Sequence, residues 1–496
     1  MTIDLRAPRD GSEQAIADLL QLPPVAIDLG ARFAAAGHEL HLVGGSVRDL
    51  ILGRSTDTPD LDFATDARPE QVQELARRER LEHWDVGIEF GTVGIGIGSQ
   101  RCEVTTFRAE AYDPGSRNPQ VSYGSSLSGD LARRDFTVNA MAVAVPSLRF
   151  VDPHGGLRDL AAGALRTPGT PVDSFNDDPL RMMRAARFVS TLRMRPAPEV
   201  VAAMRALAPR LAIVAAERVR DELTKLVLGV EPVAGLDLMV DTGLADVVLP
   251  ELPAMKLSID EHHQHKDVYV HSLTVLSQAI ALEDRLPEGG PDLVVRLAAL
   301  LHDIGKPATK KLMSGGKVSF HKHELVGARM VRDRLRALRF SKDVVGPVRE
   351  LVALHLRFHG YGEAAWTDSA VRRYVTDAGD QLDRLHVLTR ADCTTRNQRK
   401  AARLAQTYDL LEARIDRLAE EEDLKALRPE LDGNAIMQVL GLSPGPLVGK
   451  AYAYLLEVRL DRGLIGEDAA RAELLRWAGE HGIALAVPPS ERPAGS

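Results

Sequence analysis

The sequence predicts an α+β chain, a small mixed-sheet head followed by a long all-helical body, and three observations carry that reading. β-type alternation and β-branched content are confined to residues 38–165, in ELHLV (39–43), LDFAT (61–65), GTVGIGIG (91–98) and CEVTTF (102–107). Beyond Pro171, apolar residues recur three and four apart almost to the end, as in PLRMMRAARFVSTL, DLVVRLAALLHD and RLHVLTRADC. A composition of 45% hydrophobic and 27% charged residues over 496 positions is that of a globular chain of several domains.

Composition also excludes. A net charge of −8 rules out a uniformly basic protein, so contact with nucleic acid has to use a local patch. Aromatic residues make up only 4%, which argues against an architecture built on base stacking. Two cysteines, Cys102 and Cys393, cannot build a disulfide framework or a Cys-rich zinc site, and they fit a reducing compartment. No signal peptide is visible and no run approaches the ~18 apolar residues of a membrane span. The expectation is a soluble cytoplasmic protein with no membrane partner.

Taken in order, residues 1–30 read as a leader ending in a helix-like stretch from Pro24. The strand at 39–43 runs into Gly44-Gly45-Ser46-Val47-Arg48-Asp49, where a helix begins. Strand, glycine turn and helix start make an anion cradle, because glycines let backbone N–H groups approach a phosphate. Arg48 is placed to add a bidentate contact. A plain tight turn is the alternative. In Asp60-Leu61-Asp62 both carboxylates share one face of a strand. Paired hard oxygen ligands suit Mg²⁺ beside a substrate phosphate, and Glu103 on the strand 102–107 offers a third. Solvated acids are the alternative for all three. Gly98-Ser99-Gln100 reads as a hairpin turn, and Ala109 to Gly129 as a polar loop.

LVGGSVRDLILG followed by DLDFAT resembles the head of the class II tRNA CCA-adding enzymes, tRNA nucleotidyltransferases related to the bacterial poly(A) polymerases. Further matches follow in order: Arg133-Arg134-Asp135-Phe136-Thr137-Val138-Asn139-Ala140, Asp152-Pro153-His154-Gly155-Gly156, Asp177-Asp178-Pro179-Leu180-Arg181, Arg184-Ala185-Ala186-Arg187-Phe188 and Glu217-Arg218. One departure is Asp177, where the family has Glu. The resemblance implies that Asp60 and Asp62 are catalytic and hold Mg²⁺; Glu103 is a third catalytic candidate from its place on the neighbouring strand. The resemblance places Gly44, Gly45, Arg48, Arg134, Asp135, Asn139, Asp178, Arg181, Arg184 and Arg187 around the nucleotide.

Asp178 and Arg181 stand three apart, hence neighbours on one helical face. A carboxylate accepts and a guanidinium donates, which complements the Watson–Crick edges of cytosine and adenine. Uracil and guanine would set a carbonyl against Asp178, a buried mismatch costing ~1–3 kcal/mol. Arg184 and Arg187 extend a basic stripe, and residues 181–225 carry ten basic residues against four acidic ones.

Further along, His271, His302-Asp303 and Asp392 have the order of the HD superfamily of metal-dependent phosphohydrolases, with His323 and His355 as candidates for a second metal position. Imidazole with carboxylate suits Ni, Mn, Co, Fe or Zn. A degenerate domain that keeps these groups as a hydrogen-bonded core is the alternative. His262-His263-Gln264-His265 reads as a loop before the first helix. The expected domains are a leader (1–30), a nucleotidyltransferase head (31–170), a base- and RNA-binding neck (171–258), an HD domain (259–396) and a tRNA-binding helical tail (397–496). The resemblance implies template-independent transfer of CMP and AMP from CTP and ATP to the 3′ end of tRNA, with release of pyrophosphate. Poly(A) synthesis, CC-only or A-only addition, and a phosphohydrolase whose head only binds RNA remain alternatives. Monomer and homodimer are both open.

Overall fold

The structure, a computed structural model, describes residues 20, 22–54, 61–88, 91–111, 120–123, 126–256, 267–314, 318–360, 366–395, 397–422 and 427–483. Asp60, the 262–265 histidine cluster and most of the 1–30 leader lie outside them. The chain divides into two units, Met1–Pro253 and Ala254–Ser496.

In the first unit the strands are β1 (Leu40–Val43), β2 (Leu61–Thr65), β3 (Glu82–Gly87), β4 (Thr92–Ile97), β5 (Gln100–Thr106), β6 (Arg108–Ala111), β7 (Gln120–Tyr123), β8 (Ala142–Val145) and β9 (Phe150–Val151). Seven of them form one sheet in the order β3-β4-β5-β2-β1-β8-β9, while β6 and β7 pair separately. Only β2 and β5 run parallel, and the other neighbours in the sheet are antiparallel. Alternation sets the two faces apart. Leu61, Phe63, Val93, Ile95, Cys102 and Val104 are buried on one, and helix α3 (Pro69–Arg78, after α1 at Pro24–Ala35 and α2 at Gly45–Ile51) packs on β3, β4 and β5 with Val72, Leu75 and Ala76 buried. Asp62, Arg101 and Glu103 are exposed on the other. In α1 the approach to β8 requires glycine: a Cβ on Gly30 would lie 2.6 Å from the carbonyl carbon of Val145. Gly98 (φ +61°) and Ser99 close the β4–β5 hairpin, as the sequence suggested.

The helical part of this unit includes α4 (Leu127–Ala132), α5 (Gly156–Ala162), α6 (Pro171–Asp177), α7 (Leu180–Leu192), α8 (Pro198–Leu207), α9 (Ala216–Val227) and α10 (Pro232–Asp241). Helix α7 packs on α9 and α10. Its apolar side, including Met182, Met183, Ala185, Ala186 and Phe188, is buried, while Arg181, Arg184 and Arg187 fall together along the other side at three-residue steps.

The second unit is helical apart from one two-stranded pair among its described residues. Its principal helices are α11 (Val268–Ile280), α12 (Leu293–Leu301), α13 (His323–Ala337), α14 (Lys342–Leu354), α15 (Asp368–Ala378), α16 (Leu382–Asp392), α17 (Gln398–Glu422), α18 (Gly433–Leu440), α19 (Pro446–Arg462) and α20 (Glu467–Glu480). Side-chain caps start several of them, including Asp267 accepting from Tyr269 N–H at 2.9 Å and Asp292 from Val295 N–H at 2.8 Å. The last three helices bury a core of their own around Ile436, Leu440, Leu455, Leu474 and Trp477. No helix among the described residues is long and apolar enough to cross a membrane.

Candidate active site and metal centre

The glycine turn sits at the end of β1. Gly44 has φ +71°, a conformation that costs any L side chain, and a Cβ there would lie 2.7 Å from a terminal nitrogen of Arg134. Arg134 is therefore held over the turn, anchored by Asp130 at 3.1 and 3.2 Å. Ser46 Oγ in the first turn of α2 accepts the backbone N–H of Asp62 at 3.1 Å, which ties the turn to the start of β2. Asp62 and Glu103 are register partners on β2 and β5, so their exposed carboxylates project from one face of neighbouring strands.

A buried polar network lies behind these groups. Arg48 donates to both oxygens of Asp49 at 2.8 and 2.9 Å and to Asn139 Oδ1 at 2.6 Å. Asn139 donates to Asp135, and Arg184 closes the chain on Asp135 Oδ2 at 2.6 and 2.7 Å. Burial alone would raise the Asp135 carboxyl, but Arg184, Asn139 and the Phe136 N–H together bring it down to about 2. Asp135 and Asn139 are buried and hold Arg184 and Arg48, because a carboxylate taken out of water needs charge and donors around it. Arg48 points inward, its guanidinium engaged by protein acceptors.

One expectation is corrected: Asp178 and Arg181 do not share a helical face. Asp178 is not on the helix that carries Arg181: its backbone is extended (φ −139°, ψ 100°) between α6 and α7. Pro179 is the cause, since the residue before a proline is pushed out of the α region. One Asp178 oxygen accepts the Leu180 N–H at 3.1 Å, and the other meets Arg218 at 3.0 Å. Arg181 donates to Ser174 Oγ at 2.9 Å and to the Arg133 carbonyl at 2.6 Å. Arg187 pairs with Glu222 at 2.7 Å, and the guanidinium carbons of Arg187, Arg48 and Arg184 lie 4.3, 5.3 and 6.0 Å from the centre of the Phe188 ring. Ser46 and Arg218 lie inside matched motifs without an expected role, and Glu222 has none either, because each matters through a partner distant in the chain.

In the second unit the structure brings all six expected metal ligands together at helix ends. His302 and Asp303 follow α12, His355 follows α14, His323 opens α13, Asp392 closes α16, and His271 lies in the second turn of α11. His271 Nε2 is 2.9 Å from Asp392 and 3.3 Å from His302 Nε2. Asp303 stands between the two halves, 3.2 Å from His302 through one oxygen and 3.2 Å from His323 through the other, with Lys306 Nζ at 2.9 Å. His323 and His355 face each other, Nε2 to Nε2, at 3.3 Å.

Each of His302, His323 and His355 donates from Nδ1 to a backbone carbonyl, those of Ala299, Phe320 and Val352. Carbonyls only accept, so each Nδ1 carries a proton and each Nε2 faces the centre. Burial and the neighbouring His302 charge push His355 down to about 3, which keeps it neutral, whereas Asp303 and Asp392 outweigh burial at His302 and raise it to about 9, so its Nε2 also holds a proton. Against the cost of burial, His302 and Lys306 hold Asp303 well below the usual carboxylate range. Imidazole nitrogens and carboxylate oxygens turned toward one another are a donor set that could hold metal ions. The donor atoms form two groups, His271/His302/Asp392 and Asp303/His323/His355, each within 4.8 Å.

A cradle-and-carboxylate head, an arginine-lined helical neck and an HD-type centre define a nucleotidyltransferase of the poly(A) polymerase class. Residues 40–166 match the poly A polymerase head domain, residues 193–255 the probable RNA and SrmB-binding site of polymerase A, and residues 268–397 the HD domain. An A-adding tRNA nucleotidyltransferase of Deinococcus radiodurans is 36% identical over 445 residues, covering 88% of this chain and 95% of the relative. A CCA-adding enzyme of Levilactobacillus brevis is 40% identical over 253 residues, 50% of this chain and 62% of the relative. Among solved structures, the Bacillus stearothermophilus CCA-adding enzyme in complex with CTP superposes with a TM-score of 0.68 at 25% identity, over 93% of this chain and 99% of that one. The chain belongs to the tRNA nucleotidyltransferase family of the CCA-adding enzymes, in the branch with an HD domain.

Proposed function

We propose that this protein builds or repairs the 3′-terminal CCA of tRNA, using CTP and ATP and releasing pyrophosphate. The supporting observation is the junction of the glycine turn with the carboxylate row: Ser46 joins the phosphate cradle to Asp62, and Asp62 is the register partner of Glu103. The 3′-hydroxyl of the tRNA attacks the α-phosphate in line, the bond to the β-phosphate breaks, and pyrophosphate leaves. Asp60 and Asp62, with Glu103, would hold Mg²⁺, which supplies charge for the attacking and leaving oxygens. Gly44, Gly45 and Arg134 embrace the triphosphate. Asp135 and Asn139 position Arg184 and Arg48 behind it, and Arg187 continues the basic lining.

Asp178 and Arg181 read the base, with Arg218 orienting the carboxylate. A donor–acceptor pair held by protein partners suits a base that offers an amine beside a ring nitrogen, as cytosine and adenine do. The HD centre is a second, metal-dependent phosphohydrolase site for phosphate esters, taking Ni, Mn, Co, Fe or Zn. Its six protein donors fall into two groups, each of which could hold a metal ion. The chain acts in the cytoplasm, consistent with its thiols, of which Cys102 is buried and pushed up to about 11 by that burial.

A-only addition is the second reading, because a relative that aligns along 88% of the chain is an A-adding tRNA nucleotidyltransferase. The test supplies tRNA lacking its last three nucleotides with each of the four nucleotides singly, and then with CTP followed by ATP. CMP addition followed by a single AMP supports the CCA reading. AMP addition only to tRNA already ending in CC selects the A-only one. Long A-tails overturn both.

A further inference from the structure

The open face of the sheet carries more than carboxylates. Register pairs Trp84 with Gly94, Gly94 with Glu103 and Glu103 with Asp62, so these four residues form one row across β3, β4, β5 and β2. Glu82, Gly96 and Arg101 form the next row on the same face. The indole of Trp84 lies in the space left by the missing side chain of Gly94, where a Cβ would come within 2.4 Å of Trp84 Cε2. The Arg101 guanidinium carbon stands 5.6 Å from the ring centre. Beside them opens a cavity of about 470 Å³ lined by Glu82, Trp84, Gly96, Gly98, Gln100 and Arg101. The other two tryptophans are packed elsewhere, Trp477 in a buried core and Trp366 against Tyr374.

We propose that Trp84, backed by Gly94 and flanked by Arg101, is a stacking platform for an unpaired base of the tRNA primer close to its 3′ end. The proposal rests on the reading of Asp62 and Glu103 as the transfer site. Strand order decides which base. The triphosphate turn follows β1 on one side of the carboxylate row, and the platform lies across β3 and β4 on the other side. Neighbouring strands are ~4.8 Å apart, so Gly94 is roughly 10 Å from Asp62, on the side of the carboxylate row away from the triphosphate turn, where a primer rather than the incoming nucleotide would lie. An indole stacks on any base, which suits an end whose sequence changes at each addition. Glu82 turns the backbone away from its side of the cavity, and Arg101 takes a phosphate.

The experiment uses the full chain and tRNA lacking its CCA, with tryptophan fluorescence and steady-state kinetics read together. Trp84→Ala is expected to raise the KM for tRNA by about tenfold or more, with the loss falling on tRNA rather than on the KM for CTP. Trp84→Phe keeps most of the affinity, and Arg101→Ala flattens the salt dependence of tRNA binding. Quenching of wild-type fluorescence by tRNA should disappear in Trp84→Phe. An unchanged KM for tRNA in Trp84→Ala overturns the proposal, as does a rise confined to CTP, which would give the platform to the incoming nucleotide. Titration with a short single-stranded oligoribonucleotide tests the platform by quenching even if the protein incorporates neither CMP nor AMP, so failure of the platform and failure of the proposed function stay distinguishable.

Discussion

Asp135 is buried beneath the candidate site, yet its carboxyl is brought to about 2 by Arg184, Asn139 and the Phe136 amide. Its folded value lies below the ordinary 3.8, so its contribution to stability is complete above about pH 4 and disappears as pH falls toward 2. Asp135→Asn should lower stability at pH 7 by on the order of 2 kcal/mol, and the gap between variant and wild type should narrow in urea unfolding near pH 3. Asp62 makes a sharper test, because it stands exposed in register with Glu103. Asp62→Ala should cut nucleotide incorporation by at least about a hundredfold in single-turnover assays while leaving the unfolding midpoint unchanged. Activity close to wild type would show that the transfer centre lies elsewhere. Residue types were legible in the sequence and their partners were not. Asp178 and Arg181 look like helical neighbours by spacing, and only the proline between them argued otherwise. The spacing puts Arg48 beside a glycine turn but does not show that Asp49 and Asn139 accept from its guanidinium.

Between elements, ion pairs join helices far apart in sequence. Glu422 at the end of α17 accepts from Arg372 of α15 at 2.7 and 2.8 Å and from Arg459 of α19 at 2.8 Å. Both arginines are buried, and their hydrogen bonds hold Glu422 below the usual carboxylate range. Glu422→Ala would strand two buried cations, at a cost of about 3 kcal/mol or more in chemical denaturation. A loss below about 0.5 kcal/mol would mean that water reaches the pair and screens it. Helices and strands themselves were mostly readable, because a period of 3.6 or of 2 is a local property of the chain. Strand order was not readable, since the parallel pairing of β2 with β5 follows from how the intervening segment packs.

Over the whole molecule, the carboxylate row belongs to the first unit and the histidine centre to the second. His302→Ala should therefore abolish metal binding, read by elemental analysis of the purified protein, together with any phosphatase activity, and leave tRNA extension intact. Loss of both activities in a folded variant would defeat the two-site reading. The order of motifs along the chain already announced a head, a neck and an HD-like segment, and hydrophobic periodicity already divided β from α. Those features are local, written in spacings of a few residues. Folding alone decided that six candidate ligands spread over residues 271–392 converge, that Asp135 serves Arg184, and that Trp84 falls in one row with Asp62. Such meetings depend on which surfaces bury one another and in what register, and no short window of sequence contains that information.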